Sequence, residues 1–296
     1  MTLVPTHPAI PTAAPAAQSN ARATLNALTI DVDDWGIAVL GPDAPLTDRV
    51  VRNTRRMVAL LAEHNVRATF FVLGRVAAAY PEMVQEIAAA GHEVGSHGHR
   101  HVLITRQSPA QFRDDVARSM DAIAAATGIA PVGYRAPAFS IIARTRWAGP
   151  ILASLGFRYS SSVFPFRGRR YGMADAPRQI QRWPDCDLIE APPTTLCLAG
   201  RRWPWGGGGY ARLLPGAVFR AGLRRVQRSG MPAILYFHPY ELDVREIREL
   251  RQAGWRIPRR LGWMQSLFRS RTEPRLRRLL RAFAFAPLQD VIGEAV

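Results

Sequence analysis

The chain of 296 residues is poor in cysteine, has no lysine and contains no long apolar run. Its two cysteines, Cys186 and Cys197, show neither a CxxC spacing nor an adjacent histidine, so the sequence indicates neither a disulfide framework nor a thiolate zinc site. No segment approaches the roughly 18 consecutive apolar residues of a membrane-spanning helix. Residues 1–22 are rich in Ala and Pro and lack the basic start and apolar core of a signal peptide, so we expect a disordered lead-in and a cytoplasmic protein.

The positive charge is carried by arginine alone and lies mainly in the last third of the chain. The net charge is +16. Residues 201–296 hold 19 Arg against 7 acidic residues, whereas residues 1–200 hold 20 Arg against 16. No nucleic-acid-binding motif accompanies this charge, and the excess is confined to one end of the chain. We therefore predict no nucleic acid partner.

Segments with the pattern of β-strands alternate with segments of helical periodicity. Residues 23–34 form an apolar β-type run that ends in carboxylates, and residues 46–66 have the apolar spacing of a helix. Residues 67–74 again have the pattern of a strand, and the alternation continues to about residue 156. Repeated strand–helix units predict an α/β fold with a parallel sheet, open or closed into a barrel.

Chemically unusual side chains follow four of the predicted strands. The carboxyl ends of parallel strands meet at one edge of a sheet, so these side chains should lie together. Clustered carboxylates repel each other unless a cation or an arginine lies beside them. Zinc binds imidazole nitrogen and carboxylate oxygen, and an aspartate with two histidines therefore predicts a metal site. The strand-end residues are Asp31, Asp33, Asp34, His97, His101, Arg135 and His238.

These residues resemble the motifs of the polysaccharide deacetylases of carbohydrate esterase family 4. TIDVDD resembles the family's pair of acids after a strand, and HGHRH resembles its histidine pair. RAP and LYFHP are similar to the family's later motifs, and the order and spacing of the motifs agree over about residues 28–240. More narrowly, YRAPAFSI, SSSVFP, GGGGYARLLP and YFHPYELD resemble deacetylases of bacterial exopolysaccharide and exosortase loci, which carry a C-terminal extension of unknown role.

The resemblance implies both an architecture and a division into domains. It implies a distorted (β/α) barrel of about seven parallel strands, followed by a C-terminal helical extension. We therefore expect the lead-in over residues 1–22, a deacetylase domain over residues 23–240, and an Arg-rich extension over residues 241–296 that packs on or beside the barrel.

The resemblance also implies a metal-dependent hydrolysis of an amide. It makes Asp31 the general base, oriented by Arg135, and His238 the general acid that protonates the amine leaving group. The cofactor it implies is a divalent metal, first of all Zn²⁺, whose ligands are Asp33, His97 and His101. The turn that shapes the acetyl pocket and offers a backbone N–H to the oxyanion contains Pro137, Ala138 and Phe139.

The carboxylates after the first strand leave two assignments open. The family has two adjacent acids, whereas this chain has the order Asp-x-Asp-Asp. Either Asp31 and Asp33, or Asp33 and Asp34, are the base and the ligand. We prefer the first pair, because related sequences with an Asp-x-Asp arrangement use the first acid as base. Asp34 would then only cap a loop.

Other positions are also open to more than one interpretation. Ala138 stands where the family often has an aromatic residue. Ser160 stands where the narrower group has aspartate, which leaves the carboxylate partner of His238 undecided between Asp185 and Asp187. The WPWGGGGY segment is either a flexible surface loop or a platform on which sugar rings stack, through Trp203, Trp205 and Tyr210. His99 alternates with the histidine pair, and we expect it outside the site.

The expected function is removal of N-acetyl groups from amino sugars of an exopolysaccharide or its lipid-linked precursor. The alternative is a catalytically inactive carbohydrate-binding subunit of a polysaccharide assembly complex. The intact acids and histidines favour the enzyme, and a missing metal would favour the alternative.

The arginine-rich C-terminus allows two further interpretations. Between Arg245 and Arg281 there are 12 Arg against 3 Glu, and apolar residues are interleaved at mostly helical spacing. This segment could adhere to the anionic inner leaflet of a membrane, or its apolar residues could pack over the barrel. The apolar residues are Leu276, Leu279, Leu280, Phe283 and Phe285.

Overall fold

The computed structural model describes residues 24–168 and 172–295. The lead-in expected over residues 1–22 lies outside the described residues. The strands are β1 Asn26–Val32, β2 Thr69–Val72, β3 Glu93–Ser96, β4 Gly133–Tyr134, β5 Tyr159–Ser160, β6 Gln181–Arg182, β7 Ile189–Glu190, β8 Thr195–Leu198, β9 Arg201–Pro204, β10 Ile234–Phe237 and β11 Phe285–Ala286. The helices are α1 Arg49–Ala62, α2 Gly74–Ala79, α3 Pro81–Ala89, α4 Pro109–Thr127, α5 Ala148–Ser154, α6 Gly208–Leu213, α7 Gly216–Arg228, α8 Glu246–Gln252, α9 Arg259–Ser266, α10 Thr272–Ala282 and α11 Leu288–Ala295.

The strands form one curled, mostly parallel sheet. Its order is β10-β1-β2-β3-β4-β5-β7-β6, with β11 also paired to β1, and within this sheet only the pairing of β6 with β7 is antiparallel. Strands β8 and β9 form a separate antiparallel pair. The backbone N–H of Thr194 donates to Ile234 O (3.1 Å) and that of Tyr236 donates to Gly206 O (2.8 Å), so loops fill the gap between β7 and β10. The prediction of a distorted (β/α) barrel with about seven parallel strands is confirmed.

The two faces of β1 have different partners. Leu28, Ile30 and Val32 are fully buried in the largest apolar cluster, which also contains residues of α1, α3 and α7. Successive side chains of a strand point to opposite faces, so Thr29 and Asp31 point to the barrel interior. An apolar strand therefore delivers polar groups to the inside of the barrel.

The C-terminal extension packs on the barrel and returns to the sheet. Strand β11 pairs with Asn26 and Ala27 at the start of β1. On α10 and β11, the apolar residues Leu276, Leu279, Leu280 and Phe285 are buried in the largest apolar cluster, and Phe283 packs against it. These apolar residues pack against the barrel, so they are not available for contact with a membrane. Among the described residues, no helix is both long enough and apolar enough to cross a bilayer.

We expect Leu276→Ala to destabilise the whole barrel, because it removes a fully buried side chain from the largest cluster. Such truncations lower the free energy of unfolding by about 2–5 kcal/mol. The matched control is Arg278→Ala on the exposed side of α10, for which we expect a change below about 0.5 kcal/mol. Denaturant titration would measure both, and an equal loss in the two variants would contradict this placement of α10.

Candidate active site

The predicted strand-end residues meet at one end of the barrel. Asp31 is the penultimate residue of β1, and Asp33 follows that strand directly. His97 follows β3, Arg135 follows β4 and His238 follows β10. Because these strands are parallel and adjacent along the curled sheet, their carboxyl ends bring the side chains together.

One aspartate and two histidines form a compact group. Asp33 Oδ1 lies 3.7 Å from His97 Nε2, and Asp33 Oδ2 lies 3.6 Å from His101 Nε2. One ligand atom from each residue lies within 4.8 Å of the other two, and all three residues are buried. His101 reaches this position through a left-handed backbone conformation, with φ of 60°.

The donor set fits a divalent cation. Both carboxylate oxygens of Asp33 are buried and have no hydrogen-bond partner among the described residues, which is costly unless a cation satisfies them. His97 Nδ1 lies 2.8 Å from Arg135 O, a contact that turns Nε2 toward Asp33. Burial lowers the pKa of His101 to about 4, so this imidazole is neutral and can offer its lone pair at neutral pH. Two imidazoles and a carboxylate are ligands that zinc accepts.

His99 lies apart from this group, although it stands between the two histidines in the sequence. Its backbone N–H donates to Asp115 Oδ2 at 2.8 Å. Its ring lies against Gly74 at the start of α2, where a Cβ on that glycine would meet His99 Nδ1 at 2.6 Å. The side chain is therefore turned to α2.

Asp31 is bound by a fully buried arginine. Arg135 Nη1 donates to Asp31 Oδ1 at 2.7 Å and to Thr29 Oγ1 at 2.6 Å. The same guanidinium donates to Ser161 O (3.1 Å) and Ser161 Oγ (2.8 Å) and lies 4.4 Å from the centroid of the Phe71 ring. Burial opposes ionisation of Asp31, but Arg135 and the neighbouring histidines outweigh it and lower the pKa of Asp31. Asp31 is therefore a carboxylate at neutral pH.

Asp34 is turned away from the cluster. Its Oδ1 accepts from the backbone N–H of Gly36 at 2.9 Å, and its Oδ2 accepts from Thr47 N (2.8 Å) and Thr47 Oγ1 (2.5 Å). The carboxylate thus joins the loop after β1 to the segment before α1. Of the two assignments left open, this geometry favours Asp31 and Asp33.

His238 faces both carboxylates of the site. Its Nε2 lies 4.0 Å from Asp31 Oδ2 and 3.9 Å from Asp33 Oδ2. The Tyr240 ring stacks on the imidazole at 4.8 Å between centroids. Burial lowers the pKa of His238, but Glu241 and the two aspartates outweigh it, so that the pKa is raised above its usual value.

The carboxylate partner of His238 is Glu241, which the sequence analysis missed. Glu241 Oε1 lies 3.0 Å from His238 Nδ1, and Glu241 Oε2 accepts from Arg212 Nη1 at 3.1 Å. A Cβ on Gly208 would meet both oxygens of Glu241 at 2.7–2.8 Å, so the Gly-rich segment leaves room for this carboxylate. The spacing His-x-x-Glu in HPYE was the available signal.

The two acids that we considered as partners of His238 lie elsewhere. Asp187 pairs with Arg182 at 2.7 Å, and its side chain is 91% exposed. Asp185 is also exposed. Neither of these acids is therefore the partner of His238. Ser160, at the position where the narrower group has aspartate, donates from its Oγ to Ser162 Oγ at 2.8 Å.

The turn after Arg135 has an unusual backbone. Ala138 and Phe139 both have positive φ, 48° and 51°, a backbone conformation that residues other than glycine adopt rarely and at an energetic cost. The Phe139 ring packs against Phe164 and Tyr236, at 5.0 and 4.7 Å between centroids, and these contacts stabilise the turn. Pro137 and Phe139 are buried, whereas Ala138 is half-buried and more accessible. Such a turn beside the cluster is consistent with the expected acetyl pocket.

The expected sugar-stacking residues are placed differently. Trp205 is buried in the largest apolar cluster, where its ring stacks on Phe219 at 5.9 Å and its Nε1–H donates to Phe219 O at 3.0 Å. The expectation for Trp205 is corrected: its indole faces α7 and offers no surface to a sugar. Tyr210 is half-buried on α6 and packs against the same cluster.

Comparisons with known families agree with these motifs and divide the chain into two matched parts. Residues 27–160 match the family described as polysaccharide deacetylase, and residues 161–293 match a domain of unknown function, DUF3473. The chain therefore contains a polysaccharide deacetylase domain over residues 27–160, followed by the domain of unknown function over residues 161–293. The first segment contains Asp31, Asp33, His97, His101 and Arg135, and the second contains His238 and Glu241.

Curated relatives include deacetylases of three bacteria. The chain is 30% identical to a peptidoglycan deacetylase of Helicobacter pylori over 48% of this chain and 50% of that protein. It is 30% identical to a peptidoglycan-N-acetylglucosamine deacetylase of Bacillus cereus over 36% and 37%, and 39% identical to a chitooligosaccharide deacetylase of a Bradyrhizobium over 28% and 39%. The matched part thus spans half or less of each relative.

Solved structures share the fold. A Mycobacterium smegmatis protein classed as a polysaccharide deacetylase matches 98% of this chain and 94% of its own, with a TM-score of 0.61 and 22% identity. A family 4 pseudoenzyme of Bacillus anthracis matches 92% and 66%, with a TM-score of 0.50 and 16% identity. Because the fold also occurs in a pseudoenzyme, function has to be argued from the site residues.

We expect His97→Ala and His101→Ala each to lose bound divalent metal, because each removes one of three buried ligands. His99→Ala is the matched control and should retain metal, since its ring faces α2. Metal analysis of the purified variants, with titration of Zn²⁺ into the metal-free protein, measures this difference. Full metal content in both ligand variants would contradict the site.

Proposed function

We propose that the protein hydrolyses the N-acetyl group of amino sugars in an exopolysaccharide or its lipid-linked precursor. The observation that supports this proposal is a carboxylate and an imidazole beside Asp33: His238 Nε2 lies 4.0 Å from Asp31 Oδ2 and 3.9 Å from Asp33 Oδ2. The relatives named as deacetylases act on peptidoglycan and chitooligosaccharides, whose common chemistry is an N-acetylated amino sugar.

Each side chain of the site would have one task. Asp33, His97 and His101 would hold a divalent metal, which we propose to be Zn²⁺ and which would supply Lewis-acid chemistry for the attacking water and the acetyl carbonyl. Asp31, kept ionised by Arg135, accepts a proton from that water. Ala138 is half-buried, and its backbone N–H would donate a hydrogen bond to the oxygen of the acetyl group as negative charge develops there.

His238 completes the hydrolysis on the leaving-group side. Its Nε2 faces the space between Asp31 and Asp33, while Nδ1 is held by Glu241. Protonated, it donates to the sugar nitrogen as the bond between that nitrogen and the acetyl carbon breaks. The products are acetate and a free amino sugar.

The alternative function is a carbohydrate-binding subunit without catalysis. The fold alone permits it, as the pseudoenzyme neighbour illustrates. The complete set of ligands, base and acid favours the enzyme, because a binding subunit has no need of a buried carboxylate whose oxygens lack partners. Release of acetate from N-acetylated chito-oligosaccharides separates the two, since a binding subunit would release none.

We expect Asp31→Asn to lower turnover by about 10²-fold or more while metal content stays unchanged. The amide cannot accept the proton, but it keeps an oxygen for Arg135. Acetate release and metal analysis are measured on the same preparation. The opposite assignment of the acids predicts that Asp31→Asn loses metal, and that Asp34→Asn keeps metal but loses turnover; that pair of results would contradict ours.

We expect Glu241→Ala to lower kcat by about 10-fold or more with little change in KM, because His238 would no longer be oriented. Glu241→Gln keeps an oxygen acceptor for Nδ1–H and should restore part of the loss. Glu249→Ala, which removes a half-buried acid that pairs with Arg49 and not with His238, is the control. Metal content and thermal unfolding are checked in each variant. Equal activity of Glu241→Ala and the control would show that Glu241 has no role in turnover.

A further inference from the structure

Exposed apolar side chains cluster on α9 and the turn that follows it. Trp263 is 64% exposed, Met264 is 52% exposed and Phe268 is 38% exposed. Large apolar residues at this exposure are usually scattered, and a group of them indicates an interaction surface. Neither the matched families nor the proposed chemistry gives these side chains a role.

Cations surround these side chains. Arg259 and Arg260 lie one helical turn before Trp263 and Met264, so the four share one face of α9. Farther along, the Arg271 guanidinium lies 3.8 Å from the centroid of the Phe268 ring. Within the described residues, none of these arginines has a carboxylate within 4.0 Å, and the sequence contains no acid between Glu249 and Glu273.

The opposite face of α9 is anchored. Gly262 is buried, and a Cβ there would meet the Arg251 guanidinium at 2.5 Å and Ile247 at 3.1 Å. Ile257, just before α9, is buried with Ile247 and with Trp35, which directly follows the acids after β1. The exposed face is therefore held outward by packing against α8 and the loop beside the site.

We propose that this face binds the surface of a bilayer that contains anionic phospholipid. Trp favours the membrane interface, Met and Phe can enter its apolar boundary, and arginines pair with the headgroup phosphates. We name this surface the α9 patch and define it as Arg259, Arg260, Trp263, Met264, Phe268 and Arg271.

Charge complementarity favours a membrane over a second copy of this chain. Two copies would bring like charges together on the same patch, whereas an anionic headgroup layer neutralises them. Each basic residue near such a layer strengthens partitioning by about fivefold. The membrane contact expected from the Arg-rich C-terminus thus belongs to α9 and not to the apolar residues of α10, which lie in the core. Binding by the patch does not depend on the proposed activity.

The test is sedimentation of the full chain with vesicles of phosphatidylcholine, with and without phosphatidylglycerol, at low and high salt. We expect binding only to the anionic vesicles and a loss of binding as salt rises. Arg259→Gln with Arg260→Gln should weaken partitioning by about 25-fold, and Trp263→Ala with Met264→Ala should also weaken it.

Matched controls distinguish the patch from general charge or hydrophobicity. Arg225→Gln with Arg228→Gln removes the same charge from α7, and Trp203→Ala removes another exposed tryptophan from β9. Both controls should bind like the parent protein. Acetate release from soluble chito-oligosaccharides should be unchanged in the patch variants, so that a failure of membrane binding is separable from a failure of the proposed activity.

Three outcomes would overturn the proposal. The first is absence of binding to anionic vesicles at low salt. The second is equal binding by patch and control variants. The third is a protein that does not sediment with vesicles but associates with itself, and loses that self-association in Trp263→Ala. This result would assign the patch to a second copy of the chain.

Discussion

The buried guanidinium of Arg135 is the group on which the arrangement of the site depends. It is fully buried and donates to Thr29 and Asp31 on β1 and to Ser161 after β5. An arginine is tolerated inside a protein only where its donors are satisfied and an anion lies beside it. Asp31 supplies that anion, so one set of bonds both fixes the strand ends relative to each other and keeps the carboxylate ionised.

Two buried networks hold the two proposed proton-transfer groups. On the side of Arg135, Glu190 Oε1 accepts from the backbone N–H groups of Ser162 and Val163, both at 2.8 Å, and so fixes the loop to which the guanidinium bonds. On the other side, Arg212 and Glu241 hold the imidazole of His238. The proposed base and acid are thus oriented by different side chains, although their own atoms lie 4.0 Å apart.

The strand-end residues were predictable from the sequence because parallel strands must end at a common edge, whatever their loops do. Glu241 was predictable from its spacing, because it stands three residues after His238 within one 3₁₀ turn, but the room for its carboxylate depends on Gly208 in another segment. Trp205 was misplaced because its position depends on a tertiary contact. A tryptophan in a Gly-rich segment suggests an exposed loop. In the structure, however, Gly222 on α7 leaves room for the indole in the core, because a Cβ at position 222 would lie 2.4 Å from that ring. Such tertiary fits leave no local periodicity in the sequence.

The boundary between the two matched segments falls inside the barrel. Residues 27–160 supply β1 to β5, with Arg135 and the proposed metal ligands Asp33, His97 and His101, whereas β7, β10 and β11 come from residues 161–293. Strand β1 bonds to β10 and β11, and β5 bonds to β7, so the first segment alone would expose both edges of its sheet. It would also lack His238 and Glu241. The fold and the site therefore require both segments, and the second is a structural part of the barrel, even though the division expected after residue 240 stays a prediction.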